Sequence, residues 1–153
     1  MSNSELISVT IEFNWEEVGK ITLNGMSDIH VPTALPEPAV YKIQSKVGTY
    51  VGETSSLKRR LGNYRAPGGS KHTLKPRTNR RIQFLIIEAL ATTEVLVWKA
   101  TNLKYKKNGK EIVLANLHNK HERLLIENAI INEMNLPGES NWNYPKKSTR
   151  KIG

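Results

Sequence analysis

The chain contains no cysteine. Disulfides, cysteine-based zinc sites and thiol catalysis are therefore excluded. Long apolar runs are missing too. The longest, Phe84 to Ile87, is far too short to span a membrane, so no membrane partner is expected. The N-terminus, MSNSELISVT, has no basic region followed by an apolar core. It is not read as a secretory signal, and a cytoplasmic, non-secreted location is expected. Acid is scarce relative to base: 14 Asp and Glu against 23 Lys and Arg, a formal charge of +9. No internal repeat or low-complexity segment is visible.

What is present reads as a globular domain. Hydrophobic residues make up 38% and charged residues 24%. A length of 153 residues is enough for one domain with a real core and too short for two large ones. The basic excess is clustered at Lys71 to Arg81 and Lys146 to Lys151, stretches without a single acid. Such clusters favour polyanions through counterion release; a solvated basic face is the alternative.

Ala39 to Tyr64 organises the rest. Val40, Tyr41 and Ile43 form one apolar, tyrosine-bearing run, and Tyr50 and Val51 a second, closed by Gly52. The polar link from Gln44 to Gly48 makes the pair a β-hairpin. Ser55 and Ser56 are good helix caps. Leu57, Leu61 and Tyr64 then recur at helical spacing among Lys58, Arg59 and Arg60.

Ahead of the hairpin, Ile7, Val9, Ile11 and Phe13 alternate with polar residues, the pattern of a half-buried strand. Lys20 to Leu23 reads as a second short strand ended by the Asn24-Gly25 turn. Val31 to Pro38 is a proline-rich linker. After the hairpin, Ala66 to Pro76 reads as a flexible loop. Thr78 or Asn79 caps a helix through Ile82, Leu85, Ile86 and Leu90. Arg77, Arg80 and Arg81 in its first turn oppose the helix dipole, which hints at a phosphate-facing end; pairing with acids is the other reading.

Glu94 to Ala100 reads as a central strand. Asn108-Gly109 then predicts a type I′ hairpin with a basic tip at Lys104, Lys106, Lys107 and Lys110. Asn116 or Asn119 starts a last helix, which runs to about Met134. Glu127 shares a stripe there with Leu124 and Ile131, and an unpaired carboxylate is costly to bury. His118, His121 and Glu122 have helical metal-pair spacing, but no third ligand is evident. No frame for a zinc hydrolase or a Ser-His-Asp site is visible.

The hairpin resembles the GIY-YIG nuclease family. Ala39-Val40-Tyr41 stands for the first triplet and Tyr50-Val51-Gly52 for the second. Two letters of the first and one of the second are substituted. Arg60 lies where the family carries its helix arginine, and Glu127 where it carries its glutamate. The resemblance covers roughly Ala39 to Asn143. It implies an α/β (α+β) domain: a small, mostly antiparallel three-stranded central sheet flanked by helices. The N-terminal strand and the basic hairpin would be additions. Residues 1–38 are then an extension, 39–144 the nuclease domain and 145–153 a basic tail.

The resemblance also implies a Mg²⁺-dependent endonuclease acting on double-stranded DNA, with Mn²⁺ able to substitute. Glu127 would hold the metal, and Arg60 would bind the scissile phosphate. Tyr41 would activate or orient the attacking water, Tyr50 would position water or phosphate, and Tyr64 would supply a third hydroxyl. A phenol ordinarily titrates near a pKa of about 10, so a phenolate base would need help from the metal or a lysine. Sheet packing is the alternative use of both strand tyrosines. Gly52 would let helix and phosphate approach. Asn143, or else Asn141, would be the family's asparagine. DNA contacts are expected from Gly52, Arg59, Lys71, His72, Lys75, Arg77, Arg80, Arg81, Lys106, Lys107, Lys110 and Asn143. The chain's compactness resembles the family's restriction enzymes, which implies a homodimer on a palindromic site.

Overall fold

The computed structural model describes residues 4–25, 28–65, 77–138 and 140–143. In chain order the elements are β1 (Val9–Asn24), β2 (Asp28–His30), β3 (Ala39–Gln44), β4 (Thr49–Thr54) and α1 (Leu57–Arg65). There follow α2 (Arg77–Leu90), β5 (Val95–Lys107), β6 (Lys110–Leu114) and α3 (Lys120–Met134). The class is α+β. Among the described residues the strands make one antiparallel sheet, in the order β2-β1-β5-β3-β4, with β6 also paired to β5.

The expected three central strands correspond to β5, β3 and β4, but the described sheet has six. The expected break between two N-terminal strands is absent. β1 runs unbroken beside β5, and register shifts at Glu12/Asn14 and Glu17/Gly19 absorb the irregular residues. The polar stretch that read as a gap is two bulges in one strand.

Period-two alternation divides the core between the two faces of the sheet. Tyr41, Ile43, Val95 and Val97 pack with Leu57, Leu61 and Tyr64 of α1 and with Ile82 and Ile86 of α2. Val40, Val51, Ala100 and Leu103 pack with Ile126 and Ile130 of α3. The hairpin pairing Tyr41↔Gly52 and Ile43↔Tyr50 sets both strand tyrosines on the α1 side. The neighbouring residues Val51 and Glu53 therefore face α3.

β4 is an edge strand, and its outward backbone groups find partners in turn. Thr49 N–H donates to Ser140 O at 2.9 Å, and Trp142 N–H donates to Thr49 O at 2.9 Å. Val51 N–H donates to Asn143 Oδ1 at 2.8 Å, and Asn143 Nδ2 donates to Val51 O at 2.5 Å. The main-chain N–H of Glu53, next in that series, faces the carboxylate of Glu127. An exposed strand edge invites pairing with another chain; here residues 140–143 cover it up to the point where α3 takes over.

The caps follow local chemistry. Ser56 Oγ accepts from Arg59 N–H at the start of α1. Asn119 caps α3, its side chain accepting from His121 N–H at 2.8 Å and Glu122 N–H at 3.3 Å. Asn135 ends α3 in the left-handed region, ahead of Pro137. Asn108 and Gly109, with φ of 52° and 82°, form the two-residue turn between β5 and β6, as the sequence predicts.

Candidate active site

Three tyrosines stand together on the α1 side of the sheet. Tyr41 comes from β3, Tyr50 from β4 and Tyr64 from the last turn of α1. Their ring centroids are 6.3, 6.5 and 6.4 Å apart. Tyr41 and Tyr64 are fully buried, and their hydroxyls lie 2.5 Å apart. Tyr64 also interacts with the Tyr50 hydroxyl. Tyr50 alone of the three is partly exposed. Burial pushes the Tyr41 phenol well above its ordinary range, and the two other phenols push in the same direction. Burial also raises Tyr50, with Glu127 adding to the shift. The phenols are held as neutral hydrogen-bonding groups.

The tight approach of Tyr41 requires Gly52. A Cβ at that position would fall 2.6 Å from the Tyr41 hydroxyl and 2.7 Å from its Cζ. The missing side chain thus makes room for a tyrosine ring of the same domain, where the sequence reading expected room for helix and phosphate.

Arg60 enters from α1. Its side chain feels Tyr41, Tyr64, Tyr50 and Glu53, which together raise its already high pKa against the opposing effect of burial. Its Nε is buried and has no hydrogen-bond partner among the described residues. Arg59 is exposed and donates from Nη2 to Ser55 Oγ at 2.8 Å. Of the two adjacent arginines, Arg60 therefore belongs to the pocket.

Glu127 reaches the same place from the opposite face of the sheet, past the β4 edge. Burial raises its carboxyl from an ordinary 4.5 to about 7, and the neighbouring Glu53 carboxylate adds to the shift. The Glu53 main-chain N–H and Arg60 pull the other way. Glu53 is itself paired. Arg123 Nε donates to its Oε2 at 2.7 Å, and Arg123 Nη1 donates to Leu117 O at 2.8 Å. The pair is nearly enclosed, with 7% of the Arg123 and 14% of the Glu53 side chain exposed.

Sequence reasoning missed Glu53 and Arg123. The available signal was Arg123 itself, three residues before Ile126 and seven before Ile130 on the buried stripe of α3. Glu53 gave a weaker one, as a carboxylate two residues from buried Val51 and on the same face of the strand.

The remaining candidates fall elsewhere. Arg81 donates to Trp142 O at 2.8 Å and acts electrostatically on Tyr50, so it borders the pocket. Arg80 is exposed. Lys106 is paired with Glu12 at 2.7 Å. Lys107 and Lys110 are exposed at the far end of β5, roughly 26 Å along the strand from Lys99, the partner of Tyr41, at about 3.3 Å per residue. The hairpin tip is anchored rather than free: Asn108 N–H donates to Ser8 O at 2.7 Å, and Asn108 Oδ1 accepts from Ser8 N–H. Asn143 devotes its amide to Val51, and Asn141 Oδ1 accepts from Asn143 N–H. Lys71, His72, Lys75 and the side chain of Arg77 lie outside the described residues, as does the basic tail.

The model of the GIY-YIG catalytic domain family matches residues 37–139, well over half of the chain. The chain belongs to the GIY-YIG family. No curated protein and no solved structure matches it. A GIY-YIG domain is a nuclease-type hydrolase module, and the matched span holds both triplets, Arg60, Tyr64 and Glu127. No helix among the described residues is long and apolar enough to cross a membrane.

Among the described residues no three His, Cys, Asp or Glu side chains cluster as a metal cage. His118 and His121 are exposed at the start of α3. Glu122 instead accepts from Asn116 N–H at 3.1 Å and from the Tyr105 hydroxyl at 3.2 Å. A zinc site draws three or four ligands from Cys, His and carboxylates, and no such set is assembled among the described residues. The donor chemistry at Glu127 is hard oxygen, one half-buried carboxylate. That fits Mg²⁺, which keeps several waters and takes few protein ligands.

Proposed function

We propose that this GIY-YIG chain is a Mg²⁺-dependent endonuclease that hydrolyses phosphodiester bonds in duplex DNA, as a site-specific restriction enzyme. One observation carries the reading: Arg60, whose buried Nε has no hydrogen-bond partner among the described residues, and Glu127 converge from opposite faces of the sheet on the partly exposed Tyr50. A cation and a carboxylate beside neutral phenols make a site for a phosphodiester. Arg60 takes the phosphate oxygens as a fixed fork of donors. Tyr50 donates its hydroxyl proton to a phosphate oxygen or orients the attacking water. Tyr41 and Tyr64 hold Tyr50 and Arg60 in place from behind; the enclosure of Tyr41 argues against its direct contact with the attacking water.

Glu127 is the residue that would hold Mg²⁺, with Mn²⁺ a substitute. The ion supplies charge neutralisation at the phosphate and a lowered pKa for bound water. The two letters in which the first triplet departs from the family, Ala39 and Val40, are buried packing residues. Their substitution therefore leaves the polar set intact, which weighs against a non-catalytic binding module. Arg80, Arg81, the 66–76 stretch and the β5–β6 hairpin are the candidate DNA-contacting surfaces, and a homodimer would match a palindromic site.

Digestion of a long natural duplex with MgCl₂, with EDTA and with Glu127→Ala tests the reading. Discrete bands lost in EDTA and in the variant are expected. A smear would replace the restriction role with a structure-selective or mobile-element nuclease. Binding without cleavage on several DNAs would overturn the nuclease reading. Light scattering of free and DNA-bound protein tests the dimer, and a monomer in both states would exclude it.

A further inference from the structure

We propose that Glu53 is a positioning residue that keeps Arg123 off Glu127, leaving the Glu127 carboxylate open to a divalent cation. The inference rests on the reading of Glu127 as the metal-holding residue. Arg123 and Glu127 are four apart on α3, the spacing at which helical side chains meet. An arginine one turn from a carboxylate is within reach of a charge-assisted pair with it. Arg123 points elsewhere. Its Nε donates to Glu53 Oε2 at 2.7 Å and its Nη1 to Leu117 O at 2.8 Å.

Stability does not explain this pair well. Removing both charges from water offsets most of what their attraction returns, and apolar replacements of buried pairs are often neutral or better. Its position makes sense if the alternative is worse: an arginine occupying the carboxylate that the cation needs. Arg60, the other guanidinium nearby, faces the tyrosines and Glu53 as well as Glu127. With Arg123 bound to Glu53, the Glu127 carboxylate is left to face Arg60 on the phenol side.

The test uses the full chain as wild type, Glu53→Gln, the double variant Glu53→Gln/Arg123→Met, and Glu127→Ala. Each is titrated with Mg²⁺ and followed by amide NMR shifts, with circular dichroism to establish folding. In Glu53→Gln the freed guanidinium turns to Glu127, and Mg²⁺ binding weakens by about 10- to 100-fold. Removing Arg123 as well returns it to within about threefold of wild type, a recovery that a merely structural pair would not show.

Wild-type binding in Glu53→Gln overturns the inference. So does a double variant as weak as the single one. Should Glu53→Gln not fold, the double variant decides alone: wild-type affinity supports the inference, and a tenfold loss overturns it. Unchanged binding in Glu127→Ala overturns the reading of Glu127 itself, and the inference with it. Loss there, with no rescue in the double variant, overturns the Glu53 inference alone.

Discussion

The Tyr64 hydroxyl lies 2.5 Å from the Tyr41 hydroxyl, and both rings are fully buried. One phenol donates and the other accepts; deleting the Tyr64 oxygen removes the Tyr41 hydroxyl's partner in the core, and deleting the Tyr41 oxygen leaves Tyr64 only its interaction with Tyr50. Tyr41→Phe and Tyr64→Phe should each cost about 1–3 kcal/mol, whereas the double variant should cost less than the two together. Urea unfolding of the four proteins completes the cycle. Strict additivity would mean that the two hydroxyls do not depend on each other.

Gly52 is a second dependency of Tyr41. A methyl group there would meet the phenol at 2.6 Å and Tyr50 Cε2 at 2.9 Å. Gly52→Ala should displace both rings at a cost of about 1–3 kcal/mol and reduce cleavage further than that loss of stability explains. Paired measurements of melting temperature and kcat on a cleaved duplex separate the two effects. Full activity in a stable Gly52→Ala protein would show that the tyrosine geometry is not critical.

The hairpin, the Arg60 helix and Glu127 were legible in the sequence because each is a local pattern. Tyr41 and Tyr50 alternate with apolar neighbours, Ser56 marks a cap, and Glu127 interrupts a helical stripe. The continuity of β1 was not legible. A bulge keeps a strand going through residues that read as a break, and only the partner strand β5 makes that visible. The Glu53–Arg123 pair was missed for a related reason. Its members are seventy positions apart and meet only because α3 packs on the β4 edge. Asn143 was picked out for DNA contact, but in the structure its amide completes a strand edge. A side chain that mimics a missing strand leaves no pattern in sequence.

That edge makes a prediction of its own. Asn143 accepts from Val51 N–H and donates to Val51 O. An alanine loses both bonds, at a cost of about 1–2 kcal/mol on a partly exposed edge. An aspartate keeps the acceptor but sets a negative oxygen against the Val51 carbonyl, so Asn143→Asp should be less stable than Asn143→Ala. Chemical denaturation orders the variants. The reverse order would mean that the amide does not face the backbone in this way.

Glu127 predicts how stability depends on pH. Its folded value of about 7 stands above the ordinary 4.5, chiefly through burial and then through Glu53. Below about pH 4.5 the carboxyl is protonated in both folded and unfolded chains, and its contribution is fully retained. As pH rises toward 7 the unfolded chain ionises first, and that contribution is lost. Glu127→Gln removes the titration while keeping the shape. Without metal, the variant should melt about 2–4 °C above wild type at pH 8, taking ~1 kcal/mol for a group only partly withdrawn from water. The two proteins should converge near pH 4. Mg²⁺ should narrow the gap at pH 8 by binding the wild-type carboxylate in the folded state. A gap unchanged between pH 4 and pH 8 would mean that Glu127 titrates as an ordinary surface acid.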